Sequence, residues 1–201
     1  EPRGASAEGV SLADGPFEST RPNVQSAPDA RVSMEFEDIE TVAVLGAGNM
    51  GHGIAEVAAL AGFEVALRDI NEEFVEGGVE HIEWSLDKLV EHDQLSREEA
   101  DAAQERVTGL VDLETAVDDA DVVVEAVPER MEIKKNVYRE LEEYAAEEAI
   151  FTSNTSSLSI TELSEVTDRP EQFCGMHFFN PPVRMELVEV IAGAHTLDHT
   201  L

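Results

Sequence analysis

The stretch TVAVLGAGNMGHG, residues 41–53, decides the fold. Thr41 to Leu45 is a short apolar run, the pattern of a strand buried on both faces. Gly46-Ala47-Gly48-Asn49-Met50-Gly51 then fits G-x-G-x-x-G, and Asn49 to Ala61 reads as an Ala-rich helix. Glycine spacing alone says little, but between a strand and a helix it has a physical purpose. Gly46 permits the tight turn, Gly48 lets the backbone approach a pyrophosphate, and Gly51 lets helix and strand pack closely. The free N–H groups at the helix start, from Asn49 onward, then receive the phosphates. Glu64 to Arg68 reads as the next strand, and Asp69 ends it about twenty residues beyond the glycines, where a carboxylate accepts from both ribose hydroxyls. The same carboxylate would repel a 2′-phosphate, so the pattern calls for NAD and not NADP.

Working outward, the apolar residues fall into alternating strand and helix patterns. Phe74, Val75, Val79, Ile82, Leu86, Leu89 and Val90 recur at helical spacing, and Ser96 with Glu99 makes a capping box that opens a further helix. Strands are expected at 107–110, 121–127 and 150–153, a helix at 131–146, and a second capping box at Ser159 to Glu162. Strands at 173–179 and 187–191 complete the set. Parallel neighbours need crossover helices, so this alternation predicts an α/β, Rossmann-type, doubly wound and mostly parallel sheet. Residues 39–195 form that domain. Residues 1–38 carry Pro2, Pro16, Pro22 and Pro28 among Gly, Ser and acids, and read as a disordered tail or as sequence upstream of a start at Met34. Residues 196–201 look like the start of another helix.

Charge and composition exclude several classes of function. Forty-four acids stand against thirteen bases, a formal charge of −31. Phosphate binding by nucleic-acid readers needs clustered Lys and Arg, so no nucleic-acid partner is expected. No apolar run approaches the roughly 18–20 residues of a membrane helix, and no signal peptide is visible, so the expected location is the cytoplasm. Cys174 is the one cysteine, which excludes an intrachain disulfide and zinc-type spacing; no metal is expected. The acids are spread over helix faces (Glu72, Glu73, Glu76, Glu80, Glu83; Glu140, Glu142, Glu143, Glu147, Glu148) and do not gather in a tail. That spread favours a halophilic surface, screened by salt, over a docking face for one basic partner.

The chemistry lies further along. Ser153-Asn154-Thr155-Ser156-Ser157-Leu158 follows one strand, and His177-Phe178-Phe179-Asn180-Pro181-Pro182 ends another. Residues beyond the carboxyl ends of strands face the ligand crevice of an open α/β sheet, so the two segments should converge on a bound nicotinamide. Glu189, on the next strand, can reach back to the imidazole of His177. A histidine held by a carboxylate is a competent general base, here for the hydroxyl of an alcohol substrate.

NTSSL, HFFNP and a Glu twelve residues after the His together resemble the NAD-binding domain of the 3-hydroxyacyl-CoA dehydrogenases of fatty-acid β-oxidation, which include the 3-hydroxybutyryl-CoA dehydrogenases. The resemblance runs from about residue 39 to about residue 194. It implies NAD-dependent oxidation of (S)-3-hydroxyacyl-CoA, with His177 as base and Glu189 as its orienting partner. It further implies that Ser156 bonds the substrate oxygen and that Asn180 helps place nicotinamide and carbonyl. Glu129 and Lys134 match cofactor-contacting positions, and Ser85 matches a coenzyme A contact; the family's neighbouring lysine contact falls at His92. The family's helical second domain, which carries much of a homodimer interface, has no counterpart in residues 1–201. Two other readings stand beside this one. One is a dehydrogenase of a free 3-hydroxy acid or sugar acid, against which NTSSL and Ser85 argue. The other is a non-catalytic NAD-binding module, which would have no need of His177, Glu189, Ser156 and Asn180 together.

Overall fold

The computed structural model describes residues 36–201. Seven strands form one sheet: β1 (Thr41–Leu45), β2 (Glu64–Arg68), β3 (Val107–Leu110), β4 (Val122–Glu125), β5 (Ile150–Ser153), β6 (Phe173–Phe178) and β7 (Val188–Ala192). Their spatial order is β3-β2-β1-β4-β5-β6-β7. All neighbours pair in parallel except β6 and β7, which are antiparallel. The chain winds one way from β1 to β3 and the other way from β4, so the crevice opens between β1 and β4.

Why β1 is uniformly apolar is plain from its packing. Val42 and Val44 point into one core with Ile54, Leu67, Ile82 and Leu86. Ala43 and Leu45 point into the other with Tyr138, Leu141, Phe151, Leu163 and Phe173. Helices α1 (Gly51–Ala61), α2 (Glu72–Glu91) and α3 (Arg97–Glu105) belong to the first layer; α4 (Leu113–Val117), α5 (Met131–Leu141) and α6 (Ile160–Ser164) belong to the second.

The helix ends follow their caps. Asn71 accepts from the Phe74 N–H at 3.0 Å to start α2, and Ser96 and Glu99 close a complete capping box on α3. At α6 the expected box is only half formed. Ser159 Oγ accepts from the Glu162 N–H at 3.2 Å, but the Glu162 carboxylate turns outward to Lys135 at 2.6 Å. The helix expected over 131–146 stops at Leu141, where the backbone tightens to three-residue turns (Glu143 N–H to the Glu140 carbonyl, Tyr144 N–H to the Leu141 carbonyl) and the Glu142 side chain accepts from Arg169 and from the Asp168 N–H. Helix α4, started by the Asp112 carboxylate, was not anticipated; five residues carry too little periodicity to announce it. Of the expected tail, residues 1–35 lie outside the described residues. Phe36–Asp38 form a 3-10 turn whose Phe36 ring meets Phe63 edge-on at 6.3 Å. Near the carboxyl end, Asp198–Thr200 form another such turn.

Candidate active site

The glycine loop takes the conformation its sequence requires. Gly46 has φ +102°, and a Cβ there would lie 2.8 Å from the carbonyl oxygen of Ala126, just past β4. At Gly51 a Cβ would fall 1.6 Å from the Gly46 carbonyl oxygen, so helix and loop can close only over a hydrogen. Beside Gly48 a Cβ would meet no protein atom within 4 Å. Asp69, just past β2, accepts from the Ala47 N–H at 2.7 Å and so holds the loop to the neighbouring strand.

Helix α1 differs from the others in a way that fits a bound dinucleotide. Every other α-helix carries an acid in its first turn, whereas α1 carries none. Its N-cap, Met50, gives no side-chain hydrogen bond. In so acidic a chain this leaves bare N–H groups and an uncancelled positive helix end at the place where a pyrophosphate would lie.

At the far side of the crevice, His177 and Glu189 are directly paired across β6 and β7. His177 Nδ1 lies 2.8 Å from Glu189 Oε2, and Nε2 lies 3.1 Å from Ser156 Oγ. A carboxylate only accepts, so Nδ1 carries the proton and Nε2 presents a lone pair toward Ser156. The Asn154 side chain accepts from the Phe178 N–H at 2.8 Å, tying the loop after β5 to the strand end that bears His177.

Below the Ser156 loop lies a charged cluster. Glu129 Oε1 accepts from Thr155 Oγ1 at 2.5 Å, from the Ser156 N–H at 3.0 Å and from Ser157 Oγ at 3.3 Å. Burial pushes the Glu129 carboxyl up, but Thr155, the Lys134 ammonium and the Ser156 N–H together outweigh it and hold it below its ordinary value. Lys134 is 1% exposed, and its ammonium contacts Glu125 at 2.6 Å, the Val127 carbonyl at 3.2 Å and Glu129 at 3.3 Å. The other Glu125 oxygen accepts from Ser153 Oγ at 2.7 Å, with the Tyr138 hydroxyl 3.3 Å away. The Lys134 ammonium thus lies inside the protein, and Glu129 is the member of the pair that reaches the loop.

Asn49 and Asn180 share a cavity of about 240 Å³ with Ser85, Glu56, His52, His81 and Arg184. Ser85 does not stand free there, since its hydroxyl donates to Glu56 Oε1 at 2.8 Å. The expected residues thus fall into three groups: the loop from Gly46 to Gly51 with Asp69; Ser156, His177, Glu189, Glu129 and Lys134 in one bonded chain; and Asn49, Asn180 and Ser85 around the cavity. Three contributors had no assigned role in the sequence: Glu125, Glu56 and Asn154. For Glu125 a signal existed, because an acid closing the run VVVE in a buried strand must find a partner.

Fold and site together define a Rossmann-type dinucleotide-binding domain carrying a histidine–carboxylate pair at its crevice. Residues 41–201 match the family described as 3-hydroxyacyl-CoA dehydrogenase, NAD binding domain. The chain belongs to that family, and its cofactor is NAD. It is 43% identical over 162 residues to a 3-hydroxybutyryl-CoA dehydrogenase of Bradyrhizobium diazoefficiens, covering 81% of this chain and 55% of the relative. A fatty acid oxidation complex subunit alpha of Idiomarina loihiensis is 44% identical over 165 residues, covering 82% of this chain and 23% of that protein. The crystal structure of (S)-3-hydroxybutyryl-CoA dehydrogenase from Ralstonia eutropha superposes with a TM-score of 0.78 at 40% identity, covering 81% of this chain and 57% of that one. The chain therefore spans between about a quarter and a little over half of these relatives' length.

Proposed function

We propose that this chain supplies the cofactor site and the acid–base centre of an NAD-dependent dehydrogenase that oxidises (S)-3-hydroxyacyl-CoA to 3-oxoacyl-CoA. The observation that carries the reading is the relay from Glu189 through His177 to Ser156, with contacts of 2.8 and 3.1 Å. His177 Nε2 takes the proton of the 3-hydroxyl as the carbonyl forms. Glu189 stabilises the imidazolium from the other side of the ring and fixes the tautomer that leaves Nε2 free. The substrate hydroxyl takes the place of Ser156 Oγ at Nε2, the Ser156 hydroxyl turns to donate to the substrate oxygen, and the Asn180 amide orients the reacting carbonyl. NAD, when bound, accepts the hydride from the carbinol carbon. Relatives named for CoA thioesters support a thioester over a free hydroxy acid.

Among the described residues no helix is long and apolar enough to cross a membrane. We further propose a cytoplasmic, salt-adapted enzyme that works as a homodimer through helical sequence beyond this domain. The test is His177→Ala in the protein carrying this chain, assayed in molar KCl with acetoacetyl-CoA and NADH. Turnover should vanish while the NADH titration stays nearly unchanged. Reduction near the wild-type rate would show that another residue is the base.

A further inference from the structure

Glu56 is an acid placed where the fold gives it almost no water. It lies on α1, is 1% exposed, and among the described residues receives one side-chain hydrogen bond, from Ser85 Oγ of α2 at 2.8 Å. Glu56 and Ser85 both line the cavity of about 240 Å³, together with Asn49 of the glycine loop and Asn180 just after β6. The remaining titratable groups around that cavity are His52 of α1 and His81 of α2, stacked at 5.0 Å, and Arg184 of the turn after Pro182. None of the three is paired with the Glu56 carboxyl.

A serine hydroxyl has one proton to give. An ionised Glu56 can only accept, so Ser85 must spend its proton on it and show the cavity lone pairs alone. A protonated Glu56 can itself donate to Ser85 Oγ, and the serine proton is then free to turn into the cavity. The same two oxygens thus present either an accepting or a donating face.

We propose that Glu56 is a positioning residue which, through Ser85, sets whether this cavity donates to the carbonyl-bearing arm of the substrate thioester, so that substrate binding takes up a proton. The inference rests on the thioester reading above. Thioester and amide carbonyls accept hydrogen bonds, so they favour the protonated state of the pair. Burial pushes Glu56 up to about 7 against the lowering effect of the Ser85 hydroxyl, which leaves both states populated near neutrality. His52 is held below its ordinary value by burial and by His81.

Calorimetric titration with acetoacetyl-CoA at neutral pH, in two buffers of different protonation enthalpy, reads the proton uptake. Wild-type affinity should weaken about tenfold between pH 6 and pH 8, the change expected for one linked proton. Glu56→Gln, whose amide donates permanently to Ser85, should show no uptake and a flat profile. A wild-type profile in Glu56→Gln overturns the proposal. The Glu56 carboxyl, followed by carbon NMR without ligand, should titrate near 7 and higher still in Ser85→Ala; a carboxyl titrating in the ordinary range also overturns it. If Glu56 titrates near 7 but the wild type binds no acetoacetyl-CoA, the thioester reading fails and the coupling of Glu56 to Ser85 is upheld.

Discussion

Lys134 and Glu129 meet at 3.3 Å across the turn that follows β4, joining a buried ammonium to the carboxylate on which the Ser156 loop rests. The ammonium is shared with Glu125, which is 0% exposed, so one cation serves two acids at different depths.

The two ends of this cluster should respond very differently to substitution. Lys134→Met strands Glu125 in the core and should cost about 3–5 kcal/mol of folding stability, the usual penalty for an orphaned buried charge. Glu129→Gln removes a partner that is 42% exposed and should cost no more than about 1 kcal/mol. Its effect should appear instead in turnover, because the acceptor that orients Thr155, Ser156 and Ser157 loses its charge. Denaturant unfolding in molar KCl, read beside kcat, separates the two; equal stability losses would contradict this account.

Glu189→Gln should lower kcat about 10²–10⁴-fold, the range for lost acid–base assistance, with little change in NADH affinity. The amide can still contact Nδ1 but no longer compensates a positive ring. Rates within a factor of a few of wild type would remove Glu189 from the mechanism.

NADH should bind more tightly than NADPH, because the Asp69 carboxylate would meet a 2′-phosphate with no cation beside it to neutralise the repulsion. Arg68 is engaged elsewhere, its Nε donating to the Val111 carbonyl at 3.0 Å. Asp69→Asn keeps an oxygen for the Ala47 N–H and should narrow the preference. Fluorescence titration of the two reduced cofactors decides, and tighter NADPH binding by the wild type would refute it.

How much of this was legible in the residues can be seen strand by strand. The limits of β1, β2, β3 and β5 follow from apolar runs stopped by turn residues, and the glycine loop from its spacing. The pairing of His177 with Glu189 was within reach because twelve residues suffice for a return strand. What escaped reading was side-chain choice among several partners. Glu162 satisfies a capping pattern on paper, but Lys135 competes for it. Glu142 reads as part of the exposed helix, but its side chain binds Arg169, far along the chain. Lys134 enters only through the resemblance, as a cofactor-contacting position, and its buried pairing with Glu125 carries no local signal. Such contests are settled by tertiary distance, which local pattern does not carry.

Folding should depend on salt. With a formal charge of −31 on the chain, self-repulsion should weaken the native state until counterions screen it. The melting temperature should climb steeply between dilute buffer and molar KCl. A flat profile would instead favour the acidic surface as a docking face for a basic partner.

Glu56 adds a pH dependence of definite sign. Its folded value, about 7, lies above the ordinary 4.5 of a glutamate, so the native state holds a proton that the unfolded chain has lost. Stability from this group is complete below pH 4.5 and falls through the interval up to about 7, by at most about 1.4 kcal/mol per pH unit. Glu56→Gln should remove that decline, and its stability relative to wild type should be greatest at pH 8. Thermal melts at pH 5.5 and 8 in constant KCl test this; a parallel decline in the variant would place the titrating group elsewhere.

The bare, acid-free start of α1 has a consequence for the medium in which this cofactor site can operate. No lysine or arginine stands in residues 46–51 or in the first turn that follows. A site that gripped a pyrophosphate with side-chain cations across solvent would slacken as added ions crowded in. Peptide N–H groups in direct contact act over distances shorter than the roughly 3 Å Debye length of molar salt, where no ion can intervene. Affinity for the dinucleotide should therefore change little between dilute buffer and molar salt.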